Sequence, residues 1–289
     1  MSEGKLNLTV LREELDGIDN DVHDLLMRRA AIAARVRASK GDAPVWRPAR
    51  EAQILRRLIA RHTGPFPKAT IVQIWREVIS AMVRLQGEFS IAVYAPDGAR
   101  LCRDLARNHF GAETPLSLHS SARAVLTAVQ EGTATVGVLP IPEDSEEAPW
   151  WQTMAGIASG GVSICARLPF TPATPSNGDS ALCVSTTTAD ESGNDKSFFV
   201  LRTFPEVSRA RLNNAISAAG IKPVRLIGHG APLDGMSVFL SELEGFAGPE
   251  DSRIARLADQ GEGIVESAVF LGAYATPFTN DDIADHGEV

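Results

Sequence analysis

Leu8, Leu11, Leu15, Ile18, Val22, Leu25, Ile32 and Val36 follow one another at steps of three and four, with a single gap at position 29. That spacing puts one apolar stripe on a long amphipathic helix, close to a coiled-coil seam, and few other folds can use it. The gap is filled by Arg29. A guanidinium on a core-facing seam is costly unless an anion pairs with it. Lys40 lies only ~20° from Arg29 around the helix axis and ~16 Å further along, whereas Arg12 is ~25 Å the other way and ~100° off that line. An antiparallel partner helix would bring a second Arg12 back towards this Lys40, so the helix reads as half of a two-chain anion site. The alternative is a basic helix whose arginines snorkel or pair with Glu13, Asp16 or Asp24.

A chain of 289 residues is long enough for two or three domains with cores of their own. The net charge of −8 argues against nucleic acid as a general partner, so an anionic ligand must be held by local cations. Cys102, Cys165 and Cys183 are widely spaced and form neither a disulfide framework nor a CxxC pair, which points to a reducing, cytoplasmic compartment. No signal-peptide pattern opens the chain, and no apolar run approaches the ~20 residues of a membrane span.

The first helix starts near Asn7 or Thr9, and Gly41 to Pro44 stop it. Pro48 opens a second helix at its favoured first-turn place, with Arg50 and Glu51 in that turn. A third runs from about Lys68 to Gly87 on a stripe of Ile71, Ile74, Trp75, Val78, Ile79 and Met82, with Gln86 one turn beyond. From Ser90 strands and helices alternate, predicting a small α/β lobe over 89–190. TPATPSNGD and ADESGND read as linkers. Residues 195–277 follow the order βαββαβ, the ferredoxin-like pattern, and the acidic tail after Pro277 reads as mobile.

No GxGxxG, Walker loop, HExxH pair or nucleophile elbow is present, so neither cofactor nor metal is expected. What remains is a helical segment over 5–88 carrying Arg12, Arg29, Lys40, Arg50, Glu51 and Gln86. Such a set suits a dianionic substrate whose reaction needs shape and charge placement rather than proton transfer.

The runs LREELDGID, LLMRRA, VRASK, PVWRPARE and ISAMVRLQ, spread over residues 8 to 87, resemble the all-helical chorismate mutases. The likeness is closest to the mutase domain of bifunctional chorismate mutase–prephenate dehydratases. The resemblance implies an intertwined three-helix homodimer that converts chorismate to prephenate by a unimolecular [3,3] rearrangement. It implies that Arg29, with Arg12 of the second copy, clamps the two substrate carboxylates, and that Lys40 and Gln86 address the ether oxygen, where negative charge grows as the C–O bond breaks. Glu51 would accept from the ring hydroxyl, Arg50 would position Glu51 or the substrate, and Arg47 lies in the loop of backbone contacts to that hydroxyl. Met82 stands where some members carry a serine that donates to the ring carboxylate, which a thioether cannot do. Since an amide does not titrate, Gln86 implies activity that is flat from mildly acidic to neutral pH.

SIAVYAPDG and VGVLPIPEDS are similar to the opening of the dehydratase domain, but only about one lobe's worth of chain follows. The dehydratase's Thr-Arg-Phe signature falls near Ser180-Ala181-Leu182, with arginine and phenylalanine replaced. The resemblance therefore implies a degenerate lobe kept for packing or regulation. The C-terminal unit resembles an ACT domain and so admits an amino-acid effector, although PEVSRARL and LIGHGAP stand where the phenylalanine-binding motifs would be. Three other readings remain: the full bifunctional enzyme, a catalytically inactive amino-acid sensor, and a lyase acting on isochorismate. The mutase reading is favoured over the sensor because the whole cation set is present.

Overall fold

The computed structural model describes residues 8–40, 44–144, 149–156, 161–172, 179–228, 235–259 and 263–284. Three helices come first: α1 (Leu8–Lys40), α2 (Pro48–Ala60) and α3 (Lys68–Gln86). Pro48 stands in the first turn of α2, where its fixed φ suits the helix and its missing N–H leaves no gap in the ladder. The α2 helix buries Ala49, Ala52, Leu55 and Ile59, and α3 buries Val72, Ile79, Met82 and Val83.

The α/β part runs β1 (Ile91–Tyr94), α4 (Leu101–Phe110), β2 (Leu116–His119), α5 (Ala122–Gln130), β3 (Val136–Pro140), α6 (Trp150–Gly156), β4 (Ser163–Leu168) and β5 (Ala181–Ser185). It continues with β6 (Asp195–Thr203), α7 (Arg209–Ala218), β7 (Pro223–Gly228), β8 (Ser237–Glu244), α8 (Ser252–Asp259), β9 (Val265–Ala275) and α9 (Asn280–Ile283). Among the described residues all the strands join one nine-stranded sheet of order β2-β1-β3-β5-β4-β9-β6-β8-β7. The pairs β1–β2 and β1–β3 are parallel, as α-helical crossovers require. The last four strands pair antiparallel in the order that a βαββαβ unit gives.

Sequence periodicity treats the α/β lobe and the βαββαβ unit as separate sheets, but β4 runs parallel to β9 and welds them at Ile164 and Gly272. Gly272 has φ +135°, and a Cβ there would lie 2.1 Å from the Ile164 carbonyl oxygen. Gly272→Ala is therefore expected to cost about 3 kcal/mol, or roughly 6–12 °C in Tm. A melting temperature within 2 °C of wild type would show that the two strands do not meet this closely.

Further departures from the sequence reading concern what is tied down. The helix α6 is absent from that reading; its Trp150, Trp151 and Met154 are buried in the core of the α/β part. The ADESGND segment is pinned rather than slack. Arg56 of α2 donates to the carbonyls of Ser192 (3.2 Å), Asn194 (2.7 Å) and Thr276 (2.9 Å) and to Ser192 Oγ (2.9 Å). Arg56→Ala strands three carbonyls and should cost about 2–4 kcal/mol, read as a fall in the urea midpoint; an unchanged midpoint would refute the strap. The described part of the tail is docked too. The Phe278 ring stands edge-on to Phe170 at 5.2 Å, and Lys68 Nζ donates to Ala284 O at 3.1 Å. The interior of TPATPSNGD, the Gly41–Ala43 helix stop and the HGAP of LIGHGAP lie outside the described residues.

The core crosses the boundary expected at 88/89. Trp46, Ile79 and Val83 of the helical part share one cluster with Phe89, Ile91, Cys102, Phe110 and Cys183. Among the described residues no helix is long and apolar enough to cross a membrane.

Candidate active site

The packing of α1 onto α3 leaves the seam open. Leu11, Leu26, Arg29, Ala30 and Ala33 are the positions partly covered. Leu11 and Arg29 belong to the apolar stripe itself, and Leu26, Ala30 and Ala33 lie along its flank, while the stripe's Leu15 and Leu25 stay 60% and 62% exposed, along with Ile18, Val22, Ile32 and Val36. A row of large apolar side chains about 42 Å long is not left to water without reason. Arg29 sits where the covered strip meets the open stripe, and burial lowers its guanidinium pKa from the usual value. Arg12 is exposed.

The C-terminal end of α1 meets the end of α3. A Cβ on Gly87 would lie 3.2 Å from Arg37 Nη1, which places the turn before Lys40 beside Gln86. Lys40 is the last residue of α1, and its side chain lies outside the described residues. Gln86 is half-buried, and its Nε2 donates to the Met82 carbonyl of its own helix at 3.1 Å. Met82 is buried on the same helix. One chain thus brings Arg29, Met82 and Gln86 onto two packed helices, with Glu51 on the third. It does not bring Arg12 there, because Arg12 is ~25 Å from Arg29 along a rigid helix.

Glu51 is the most perturbed of the group. It is buried in the first turn of α2, where Arg76 Nη1 donates to its Oε2 at 2.9 Å. Burial pushes its carboxyl up to about 7, with Arg76 pulling the other way. Arg76 is itself buried: His109 Nε2 lies 3.3 Å from its Nη1, and the Phe170 ring lies 4.9 Å from its guanidinium carbon. Burial and the Arg76 charge hold His109 well below its usual range, so it stands neutral and its ring nitrogen accepts from the guanidinium. Arg76 was missed by the sequence reading. It lies off the Ile71–Met82 stripe read from the sequence, on the neighbouring face of Val72, Ile79 and Val83, which step around it by four, three and four.

The other expected residues face outward. Arg47 pairs with Asp190 at 2.8 Å with both side chains about half exposed, and Arg50 Nη1 donates to Gln53 Oε1 at 3.4 Å. Asp144, in the stretch similar to the dehydratase opening, accepts from Arg209 (2.5 and 3.3 Å) and from the Gly228 N–H (3.0 Å). Where α2 and α3 face the sheet, Pro48, Arg76, His109, Cys165 and Phe170 line a cavity of only ≈ 10 Å³, room for about one water.

The family model described as chorismate mutase type II matches residues 11–87. A bifunctional chorismate mutase/prephenate dehydratase of Pseudomonas aeruginosa is 28% identical over 168 residues, 56% of this chain and 46% of that protein. One of Aquifex aeolicus is 32% identical over 145 residues, 48% of this chain and 40% of that protein. The chain thus matches less than half the length of these relatives, and both matches are longer than the helical stretch. Among solved structures, a prephenate dehydratase from Arthrobacter aurescens in complex with L-Phe aligns over 66% of this chain and 92% of that one, at 17% identity and TM-score 0.46. A structure titled as GqqA, a novel type of quorum quenching acylase, covers 68% and 98% at 18% identity and TM-score 0.49. The match over 11–87, on the three helices that carry Arg29, Glu51 and Gln86, makes the N-terminal part of this chain a chorismate mutase type II domain.

Proposed function

We propose that the chain is a chorismate mutase that rearranges chorismate to prephenate at sites shared between two copies. The observation that carries this reading is the open seam of α1, which lies within the matched stretch and has Arg29 at its edge. Two such helices, set antiparallel, cover each other's apolar stripes and carry Arg12 of one copy towards Arg29 and Lys40 of the other. In that arrangement the guanidinium forks of Arg29 and the second Arg12 meet the substrate's two carboxylates. Lys40 and Gln86 donate to the ether oxygen as it gains charge, and donors fixed in advance favour the transition state over the ground state. To do so, the Gln86 amide leaves its bond to Met82. Glu51 accepts from the ring hydroxyl, with Arg47 and Arg50 at the rim.

The region 89–190 is read as a degenerate dehydratase-like lobe and 195–277 as an ACT-like unit that takes an amino-acid effector. Where α2 and α3 face the sheet the cavity holds only ≈ 10 Å³, which supports the absence of dehydratase activity. Three free, buried thiols are in keeping with a cytoplasmic setting. The test is to incubate the purified chain with chorismate, follow its loss by absorbance and identify the product. Prephenate is expected, with phenylpyruvate no faster than its spontaneous formation in acid. Pyruvate, or no consumption, would refute the mutase reading, and faster phenylpyruvate would refute the loss of dehydratase activity.

A further inference from the structure

We infer that Arg76 is a positioning residue for Glu51, and that the α/β part serves the mutase site by enclosing this arginine. The inference rests on the mutase reading above. Glu51 belongs to α2 and Arg76 to α3, but the walls around the guanidinium come from beyond the helical stretch. His109 of α4 accepts on one side, and the Phe170 ring, just past β4, covers another. Cys183 of β5 also faces Arg76, and the Trp46 indole, ahead of α2, faces Glu51. Arg76 Nε has no partner, so the guanidinium's position is set by the Glu51 carboxylate, His109 and Phe170. A helical domain alone would leave this face of α2 and α3 in water. There Glu51 would need no partner and Arg76 would have no fixed place.

The chemistry requires such a partner. Only an ionised carboxylate is a strong acceptor for a substrate hydroxyl, and burial alone drives a carboxyl towards its neutral form. A cation 2.9 Å away counters that drive and fixes which way the carboxylate faces. Lysine could supply the charge, but not the planar fork or the stacking on Phe170.

The experiment uses the full-length chain and reads kcat/KM for chorismate against pH. In the wild type, activity is lost as pH falls through the Glu51 value of about 7, and Glu51→Gln removes that acid limb. Gln86 alone would leave the profile flat, so the wild-type measurement distinguishes the two expectations. In Arg76→Met the limb moves up by a unit or more, and kcat/KM at pH 7 falls by about 10–100-fold. Arg76→Lys returns the limb to within about half a unit of wild type. Phe170→Leu lowers kcat two- to fivefold without changing KM. Arg76→Gln, which keeps a buried donor, reads the same limb if Arg76→Met does not fold. An acid limb in the same place in folded Arg76→Met or Arg76→Gln overturns the inference while leaving the mutase reading intact. A wild-type chain that does not consume chorismate overturns both.

Discussion

Lys40→Ala and Gln86→Ala should each lower kcat/KM for chorismate by on the order of 10²–10⁴. The ether oxygen gains negative charge only as its bond to the ring breaks, so a donor aimed at it stabilises the transition state more than the bound substrate. The loss should therefore appear mainly in kcat. The contact between Arg37 and Gly87 gives this expectation a physical basis: it brings the last turn of α1 to the end of α3, where Gln86 stands. Near-normal rates in both purified, folded variants would remove these two residues from the chemistry.

The three helices were legible because each carries its own period and its own stop. The step of three and four runs from Leu8 to Val36 with one gap, at Arg29, and Pro48 and Pro67 bracket the second helix. The alternation that predicts βαβ units and the final βαββαβ order were legible for the same local reason. Long-range features were not. Nothing in the residues around Gly272 announces that its backbone must lie against Ile164, so the two halves of the sheet read as separate bodies. WWQTMAG is too short to display a helical period, and α6 exists because two tryptophans and a methionine fill the core beneath it.

The site was read unevenly for a related reason. Arg29 stands out because it fills the gap in the α1 stripe, whereas Arg76 lies off the stripe read for α3, on the Val72, Ile79 and Val83 face. Its partners, His109 and Phe170, come 33 and 94 positions later and meet it only through the shared core. Met82 and Gln86 were placed on one face by spacing alone, whereas the bond from Gln86 to its own helix is a side-chain choice that spacing cannot encode.

The central claim is that each active site is built from two chains, and refolding a mixture of two dead variants tests it most directly. Arg12 lies ~42 Å from Lys40 along one helix, so within a chain these two groups never reach one substrate. Arg12→Ala and Lys40→Ala should each be nearly inactive. When they are unfolded together and refolded, half the dimers are mixed. In a mixed dimer one site receives an intact Lys40 from the first chain and an intact Arg12 from the second, while the other site receives both defects. About a quarter of wild-type activity should return. A mixture as inactive as its parents, with subunit exchange demonstrated by differently tagged chains, would contradict the shared site.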